Sequence, residues 1–334
     1  MKTTLTDIVS VLTDNDNYLI VIHEKADGDA LGSSTALALF LNKLGKKCAI
    51  LSPSKISERL LFIKSQTVTY FETAEHFNNS GYKYNYVLTV DVASNELISS
   101  VLPCFNNTVN TVIDHHRVNN IQAPVKYIDE YSSATGEIVY SIINQYEKIS
   151  KTKVIDDAIA SALFTSISSD TGCFKYSNTT SKTHKIASEL LKLDIKADEI
   201  NKQLFDTKTK SQICAEKLGY KNLKMLCDDK LAIIVITKNE MKKHKITEDD
   251  TETLSQQARM ITGVQIGVLM REKTYPDGKV GFKFSVRSNI DSDMSDLCSK
   301  FGGGGHKKAA GCTIFNNKNK AIKAFIDEAK KHLV

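Results

Sequence analysis

Val109-Asn110-Thr111-Val112-Ile113-Asp114-His115-His116 is the stretch on which the reading of the fold turns. A short run rich in β-branched residues, with neither Pro nor Gly, reads as a buried strand. It ends abruptly in one acid and two imidazoles. Two other runs end the same way. Residues 18–23 form an apolar run that closes on His23 and continues Glu24-Lys25-Ala26-Asp27-Gly28-Asp29, and residues 86–90 are followed by Asp91. The carboxyl ends of strands in an open parallel sheet share one edge, which forms the ligand crevice. Three strands ending in Asp or His would place those side chains together there.

The surrounding sequence supports such a sheet. Residues 30–44 have helical periodicity and stop at Gly45, and 48–51 is another strand. Helices are expected over 135–146 and 157–168. Alternating strands and helices imply an α/β fold, here a mostly parallel sheet with helices on both faces. Residues 181–227 read as helical over 182–193, 197–205 and 211–226. Strands are expected again at 231–236, 264–270 and 280–286, with a turn at Tyr275-Pro276-Asp277-Gly278. A glycine run at 302–305 and a helix from about residue 318 complete the pattern. The expected organisation is a first domain over 1–190, a helical connector over 191–215, and a smaller C-terminal α/β domain over 216–334.

Composition narrows the class. The 334 residues suffice for two domains with real cores, and 41% hydrophobic with 25% charged residues is ordinary for a globular protein. No apolar run approaches the roughly 18 residues of a membrane span, and the start lacks a signal-peptide pattern. A cytoplasmic protein without a membrane partner is expected. Seven cysteines, none in a CxxC pair, argue against a zinc ribbon or a disulfide framework. A net charge of +5 suits a small anionic substrate rather than duplex DNA. Arg occurs only at 59, 117, 259, 271 and 287, so each raises the question of forked hydrogen bonding.

Taken singly, the acids have plain explanations. Asp27 or Asp29 could cap the helix after it, and Asp170 with Gly172 could be a turn. His23 alone would suit a structural histidine. Taken together, so many carboxylates at one edge would repel one another and resist desolvation, costing several kcal/mol without a cation. A pair of divalent metals removes that cost. Carboxylates and imidazoles without thiolates favour Mn²⁺, two per chain, with Mg²⁺ or Co²⁺ as substitutes. Two such ions can deprotonate a water and clamp a phosphate.

The C-terminal half carries its own cluster, Phe301-Gly302-Gly303-Gly304-Gly305-His306-Lys307-Lys308-Ala309-Ala310-Gly311. Glycine runs are usually flexible loops. Here His and two Lys follow at once, and backbone N–H groups in such a loop can approach a phosphate closely. Arg271 and Arg287-Ser288 end strands nearby in sequence. The expectation is an anion pocket in the second domain.

These motifs resemble those of the DHH phosphoesterase superfamily, in order and over essentially the whole chain. His23, Asp27 and Asp29 resemble its first motif, Asp91 the second, Asp114-His115-His116 the third, and Asp170 the fourth. Gly302 to His306 with Ala309, Ala310 and Gly311 resemble the DHH-associated C-terminal domain. Ala26 stands where Pro is frequent. The two-domain layout resembles the NrnA-type members, which degrade very short RNA and dephosphorylate adenosine 3′,5′-bisphosphate.

The resemblance implies roles. One metal would be held by His23, Asp27 and Asp91, the other by Asp29, Asp91, His115 and Asp170, with Asp91 bridging. Asp114 would orient a histidine, and His116 would steady the phosphate, making these two the catalytic side chains. Arg271, Arg287, Ser288, Gly304 and His306 would hold the nucleotide's other phosphate or its base. The implied substrates are short single-stranded RNA and small nucleotides, with homodimerisation left open.

Other readings remain beside it. Relatives of the same type cleave cyclic di-AMP or its linear product pApA. A manganese pyrophosphatase shares the first domain but ends in a Ser-Arg-Lys-Lys pattern absent here. A processive exonuclease would need further nucleic-acid-binding domains. A non-catalytic nucleotide binder would not need the full ligand set.

Overall fold

The computed structural model describes residues 3–275 and 278–334, with the side chain of His306 excluded. Pro276 and Asp277 of the expected turn therefore lie outside the described residues, as does the side chain of His306. Two compact units are present, Met1–Thr207 and Lys208–Val334. Their boundary falls within 191–215, the stretch expected to connect two domains.

The first unit runs α1 (Leu5–Asp14), β1 (Tyr18–Val21), α2 (Gly28–Lys43), β2 (Cys48–Leu51), β3 (Thr69–Phe71), α3 (Ala74–Ser80), β4 (Tyr86–Val90), β5 (Thr111–Asp114), β6 (Val125–Ile128), α4 (Thr135–Ser150), α5 (Asp157–Asp170), α6 (Ser181–Leu190) and α7 (Ala197–Asn201). All six strands pair in parallel in the order β3-β2-β1-β4-β5-β6. Burial on both faces explains why β1 and β2 are apolar along their length. Side chains of one face, including Ile20, Leu88 and Ile113, pack against α1, α2, α4 and α5. Those of the other, including Val21, Val87 and Val112, pack against α3 and two 3₁₀ turns at Asn95–Ile98 and Leu102–Phe105.

Strand order reverses between β1 and β4, so the sheet has its topological switch point there, where ligands bind in such folds. Asp27 caps α2 with one carboxylate oxygen, accepting the N–H groups of Asp29 and Ala30 at 3.0 Å. That cap starts the helix at Gly28, two residues before the apolar periodicity begins. Gly32 lets α2 and α5 touch, since a Cβ there would lie 2.7 Å from the Ala162 carbonyl oxygen.

The second unit contains α8 (Lys210–Asn222), β7 (Leu223–Leu226), β8 (Leu231–Ile236), α9 (Lys238–His244), α10 (Leu254–Arg259), β9 (Ile266–Thr274), β10 (Val280–Ser288), α11 (Met294–Ser299), β11 (Gly304–His306), β12 (Ala309–Ile314) and α12 (Lys318–Ala329). Its sheet has the order β11-β12-β10-β9-β8-β7, antiparallel except where β8 meets β9. One reading is corrected here. Residues 223–226 do not extend α8 but form strand β7, because Cys227, Asp228 and Asp229 all take left-handed conformations and turn the chain back onto β8. No helix among the described residues is long and apolar enough to cross a membrane.

Candidate metal centre

The site is built at the switch point from loops that the parallel strands deliver to one edge. His23 lies two residues beyond β1. Its Nδ1 donates to the Glu24 carbonyl at 2.8 Å, which turns Nε2 toward Asp27 Oδ1 at 3.9 Å and Asp91 Oδ2 at 3.7 Å. His115 follows β5 and is fixed the same way. Its Nδ1 donates to the Ser132 carbonyl at 3.2 Å, leaving Nε2 3.3 Å from Asp170 Oδ2 and 3.7 Å from both Asp29 Oδ2 and Asp91 Oδ1. A carbonyl can only accept, so each ring presents an unprotonated Nε2 when neutral, as a metal ligand requires.

Asp29 is fully buried. Its Oδ2 accepts the Thr135 N–H at 2.7 Å, and its Oδ1 accepts the Gly136 N–H at 3.1 Å together with the Ser166 hydroxyl. The first N–H groups of α4 thus do for Asp29 what an N-cap side chain does elsewhere. Asp91, also buried, adopts a left-handed backbone at φ 59°, a region open to Asp more than to most residues. Its N–H bonds the Ile113 carbonyl at 3.0 Å, and its Oδ1 accepts from Thr135 Oγ1 at 2.9 Å.

The electrostatics are those of a site that lacks enough positive charge. Burial, reinforced by the Asp91 charge, pushes the Asp29 carboxyl up to about 7. Burial and the charges of Asp29, Asp27 and Asp91 hold Asp170 well above the ordinary carboxylate range. Burial would raise Asp27 too, but its bond to His23 and its two N–H donors keep it well below that range. Burial disfavours a charged His23, yet its bonds to Asp27 and Asp91 outweigh that and raise it.

Three sets of potential ligands have donor atoms within 4.8 Å of one another: His23 with Asp27 and Asp91, Asp29 with His115 and Asp170, and Asp91 with His115 and His116. Buried carboxylates with raised affinity for protons, interleaved with oriented imidazoles, fit divalent cations.

Asp114, the last residue of β5, is buried behind the histidine pair and belongs to none of these sets. Its Oδ1 accepts the His115 N–H at 2.9 Å and His116 Nδ1 at 2.8 Å. Its Oδ2 accepts from Asn119 Nδ2 at 2.7 Å, and the same amide nitrogen donates to the Val92 carbonyl at 2.8 Å. Burial opposes charge on His116, but the Asp114 bond and the charges of Asp91, Asp114 and Asp29 raise it to about 9. Asn119, Thr135, Gly136 and Ser166 were not legible as site residues. Nothing in their spacing marks them, because their contacts come from distant segments.

With this geometry established, comparison with known proteins assigns the family. Residues 17–167 match the DHH family N-terminal domain, and residues 228–333 match the DHHA1 domain. The chain belongs to the DHH family. A DHH-family relative from Bacillus subtilis (strain 168), a bifunctional oligoribonuclease and PAP phosphatase, NrnA, is 23% identical over 312 residues, covering 93% of each chain. A probable manganese-dependent inorganic pyrophosphatase of Lactobacillus helveticus is 27% identical over 173 residues, covering 51% of this chain and 53% of its own. The crystal structure of an exopolyphosphatase-related protein from Bacteroides fragilis shares the fold, with a TM-score of 0.85 at 24% identity over 98% of this chain and 96% of that one.

The DHHA1 domain presents part of one sheet face uncovered. Arg287 on β10 stands opposite Ala309 on β12 and Gly267 on β9, and Ser285 stands opposite Gly311, which pairs with Gly304 on β11. Paired residues share a face. Near β8 and β9 this face is covered by α8 and α10 through Leu218, Leu254 and Ala258. Along β10 and β12 it is half-exposed, with Arg287 and Lys283 above small residues.

Two residues expected in an anion pocket are placed elsewhere. Arg271 is 5% exposed, and its Nη1 donates to the Glu248 carbonyl at 2.8 Å and to Thr251 Oγ1 at 2.9 Å. It lies four residues along β9 from Gly267, which pairs with Arg287, a separation of about 13 Å. Ser288 alternates onto the opposite face, is buried, and donates to the Ile290 carbonyl at 3.0 Å. Strand alternation separates Ser288 from Arg287, and distance along the same face separates Arg271 from it.

Proposed function

We propose that the chain is a manganese-dependent phosphoesterase that hydrolyses short oligoribonucleotides and adenosine 3′,5′-bisphosphate to mononucleotides. The observation that carries this reading is the convergence of the sets His23-Asp27-Asp91 and Asp29-His115-Asp170 at one switch point. The substrate class is supported by the relatives named as oligoribonuclease and PAP phosphatase, and the metal by the manganese-dependent relative. One ion would be held by His23, Asp27 and Asp91 and a second by Asp29, His115 and Asp170, with Asp91 common to both. When bound, two divalent ions supply an activated water and withdraw negative charge from the phosphoryl oxygens.

The remaining chemistry belongs to the chain. Glu24 and Ser132 lock two imidazoles by their carbonyls, so that no rotation is needed when a ligand arrives. The N–H groups of Thr135 and Gly136 keep Asp29 in one orientation. Asp114 holds His116 by Nδ1 and favours its protonated form, whose Nε2–H would donate to a phosphoryl oxygen as charge develops there. In the DHHA1 domain, Arg287 over its floor of small residues is the nucleotide-binding group of this reading, together with the Gly304 backbone and His306.

The test is a turnover panel with Mn²⁺ on di- to pentaribonucleotides, adenosine 3′,5′-bisphosphate, pApA and cyclic di-AMP. Hydrolysis of the short ribonucleotides or the bisphosphate is expected. Activity confined to pApA or cyclic di-AMP would replace the substrate assignment, and nucleotide binding without hydrolysis of any of them would replace the enzyme assignment.

A further inference from the structure

Large apolar side chains of the first unit are mostly packed away, but Tyr131 is 82% exposed and Val118 78%. These are the two most exposed large apolar residues among that unit's described residues; Ile149 at 53% comes next. Single exposed apolar residues need no explanation. These two lie on adjoining loops at the metal-bearing edge. Strands β5 and β6 are neighbours, with Asp114 opposite Ile128, so the loop carrying Val118 and the loop carrying Tyr131 leave the sheet side by side.

The backbone around Tyr131 is pinned to the histidine pair's own loop. The carbonyl of Ser132 receives His115 Nδ1 at 3.2 Å, and the carboxylate of Glu130 lies 3.6 Å from Arg117 Nε. Tyr131 stands between these two residues, one Cα step, about 3.8 Å, from each. Its own N–H donates to Asp129 Oδ1 at 3.2 Å, and the Ser132 N–H donates to the Asp129 carbonyl at 3.0 Å. The ring is therefore exposed on a fixed turn, and a ligand that covers it orders little backbone.

We infer that Tyr131, beside Val118, is a stacking platform for a nucleobase of the substrate whose phosphate lies at the metal centre. The inference rests on the phosphoesterase reading above and adds a subsite to it. A nucleobase is the occupant that chemistry and position favour. It is flat and apolar on its faces, it comes attached to the phosphate that the histidines address, and any base has such a face. Arg117, with its side chain 85% exposed, balances Glu130 beside the platform, so an incoming polyanion does not meet an uncompensated acid. The platform would select for the presence of a base and not for its identity.

The experiment measures kcat and KM with Mn²⁺ for wild type, Tyr131→Ala and Tyr131→Phe. The substrates are a diadenylate and two analogues, each lacking one of its two bases. On the complete dinucleotide, Tyr131→Ala should lower kcat/KM about tenfold, mainly through KM, and Tyr131→Phe should restore it. On one of the two analogues, wild type and Tyr131→Ala should match, which identifies the base that is stacked. Equal kcat/KM for wild type and Tyr131→Ala on the complete substrate would overturn the inference. So would the same loss on both analogues, which would mean that Tyr131 shapes the loop. A change of mass in sedimentation for Tyr131→Ala, with kinetics per active site unchanged, would assign the patch to self-association. Failure of wild type to hydrolyse any nucleotide would instead remove the phosphoesterase reading on which the platform rests.

Discussion

The backbone N–H of Thr135 donates to Oδ2 of Asp29 at 2.7 Å across 106 residues of sequence. This bond joins the first turn of α4 to the first turn of α2, and Thr135 Oγ1 reaches Asp91 from the same residue at 2.9 Å. One short helix start thereby sets the spacing of two acids, one in the first turn of α2 and one just after β4.

Asp91 is the acid that the two proposed cation positions share. Asp91→Asn keeps its shape but removes its charge, and turnover is expected to fall below about a tenth of wild type, a barrier increase above about 1.4 kcal/mol. Bound metal, counted by elemental analysis, should fall with it. A variant with full metal content and more than a tenth of the activity would show that Asp91 is not shared.

Chelation should abolish hydrolysis, and Mn²⁺ should restore more of it than Mg²⁺ or Co²⁺. The oxygen-and-imidazole donor set motivates the ranking. Full turnover by protein shown to be metal-free would sink it.

The metal-stripped protein should lose stability as pH rises from about 5 to 9. Asp29, raised to about 7, and Asp170, also raised, hold protons in the folded state that an unfolded chain has released above about pH 4. Stability from these groups is fully present below that point and is lost as pH rises through their folded values. His23 and His116, the latter raised to about 9, act in the same direction: their contribution is complete below about pH 6.5 and disappears above the folded values. Mn²⁺ competes with these protons, so the rise in Tm on adding it should grow with pH. Thermal unfolding with and without Mn²⁺ at pH 5, 7 and 9 measures both effects. A stripped protein whose Tm climbs over this range would contradict the assignment.

Asn119 should matter through Asp114. Asn119→Ala leaves Asp114 Oδ2 buried without its 2.7 Å donor and unties the loop after β5 from Val92. A stability loss of about 1–3 kcal/mol is expected by chemical denaturation. kcat should drop further than bound metal does, because His116 loses its fixed orientation. Unchanged kcat in a destabilised variant would confine Asn119 to the fold.

The two arginines of the DHHA1 sheet should separate cleanly. Arg271→Ala should cost stability, because it removes a buried guanidinium that donates to the Glu248 carbonyl and the Thr251 hydroxyl. Arg287→Ala should instead raise KM for dinucleotides while leaving Tm within about a degree, a small shift for a surface change. Identical behaviour of both variants would mean that Arg287 also serves the fold.

What the sequence showed, it showed through period and position. Strands 18–21, 86–90 and 111–114 were legible because burial on both faces makes them largely apolar and β-branched, and His23, Asp91 and Asp114 were legible because those runs end on or just before them. The grouping of ligands follows, since parallel strands share one carboxyl edge. The surroundings of each ligand were hidden. Ser166 sits on the far turn of α5 and reaches Asp29 only because Gly136 and Gly32 let helices close in. Ser288 was misplaced because strand-end counting ignores which face a residue takes, and Arg271 because it ignores distance along the strand and burial under the loop at Glu248–Thr251. The strand at Leu223–Leu226 was hidden behind a helical pattern that only the left-handed turn at Cys227–Asp229 interrupts.

The lock on Asp29 also sets an order of assembly. Its partners are Thr135, Gly136 and Ser166, and Asp170 follows one turn later on α5. During synthesis, β1 and α2 emerge with Asp29 already in the chain but without the partners that orient it. The pocket is complete only once α5 has left the ribosome and docked. Completion of the Asp29-His115-Asp170 set is therefore a late event in the birth of this domain, and a chain that ends before α5 lacks it.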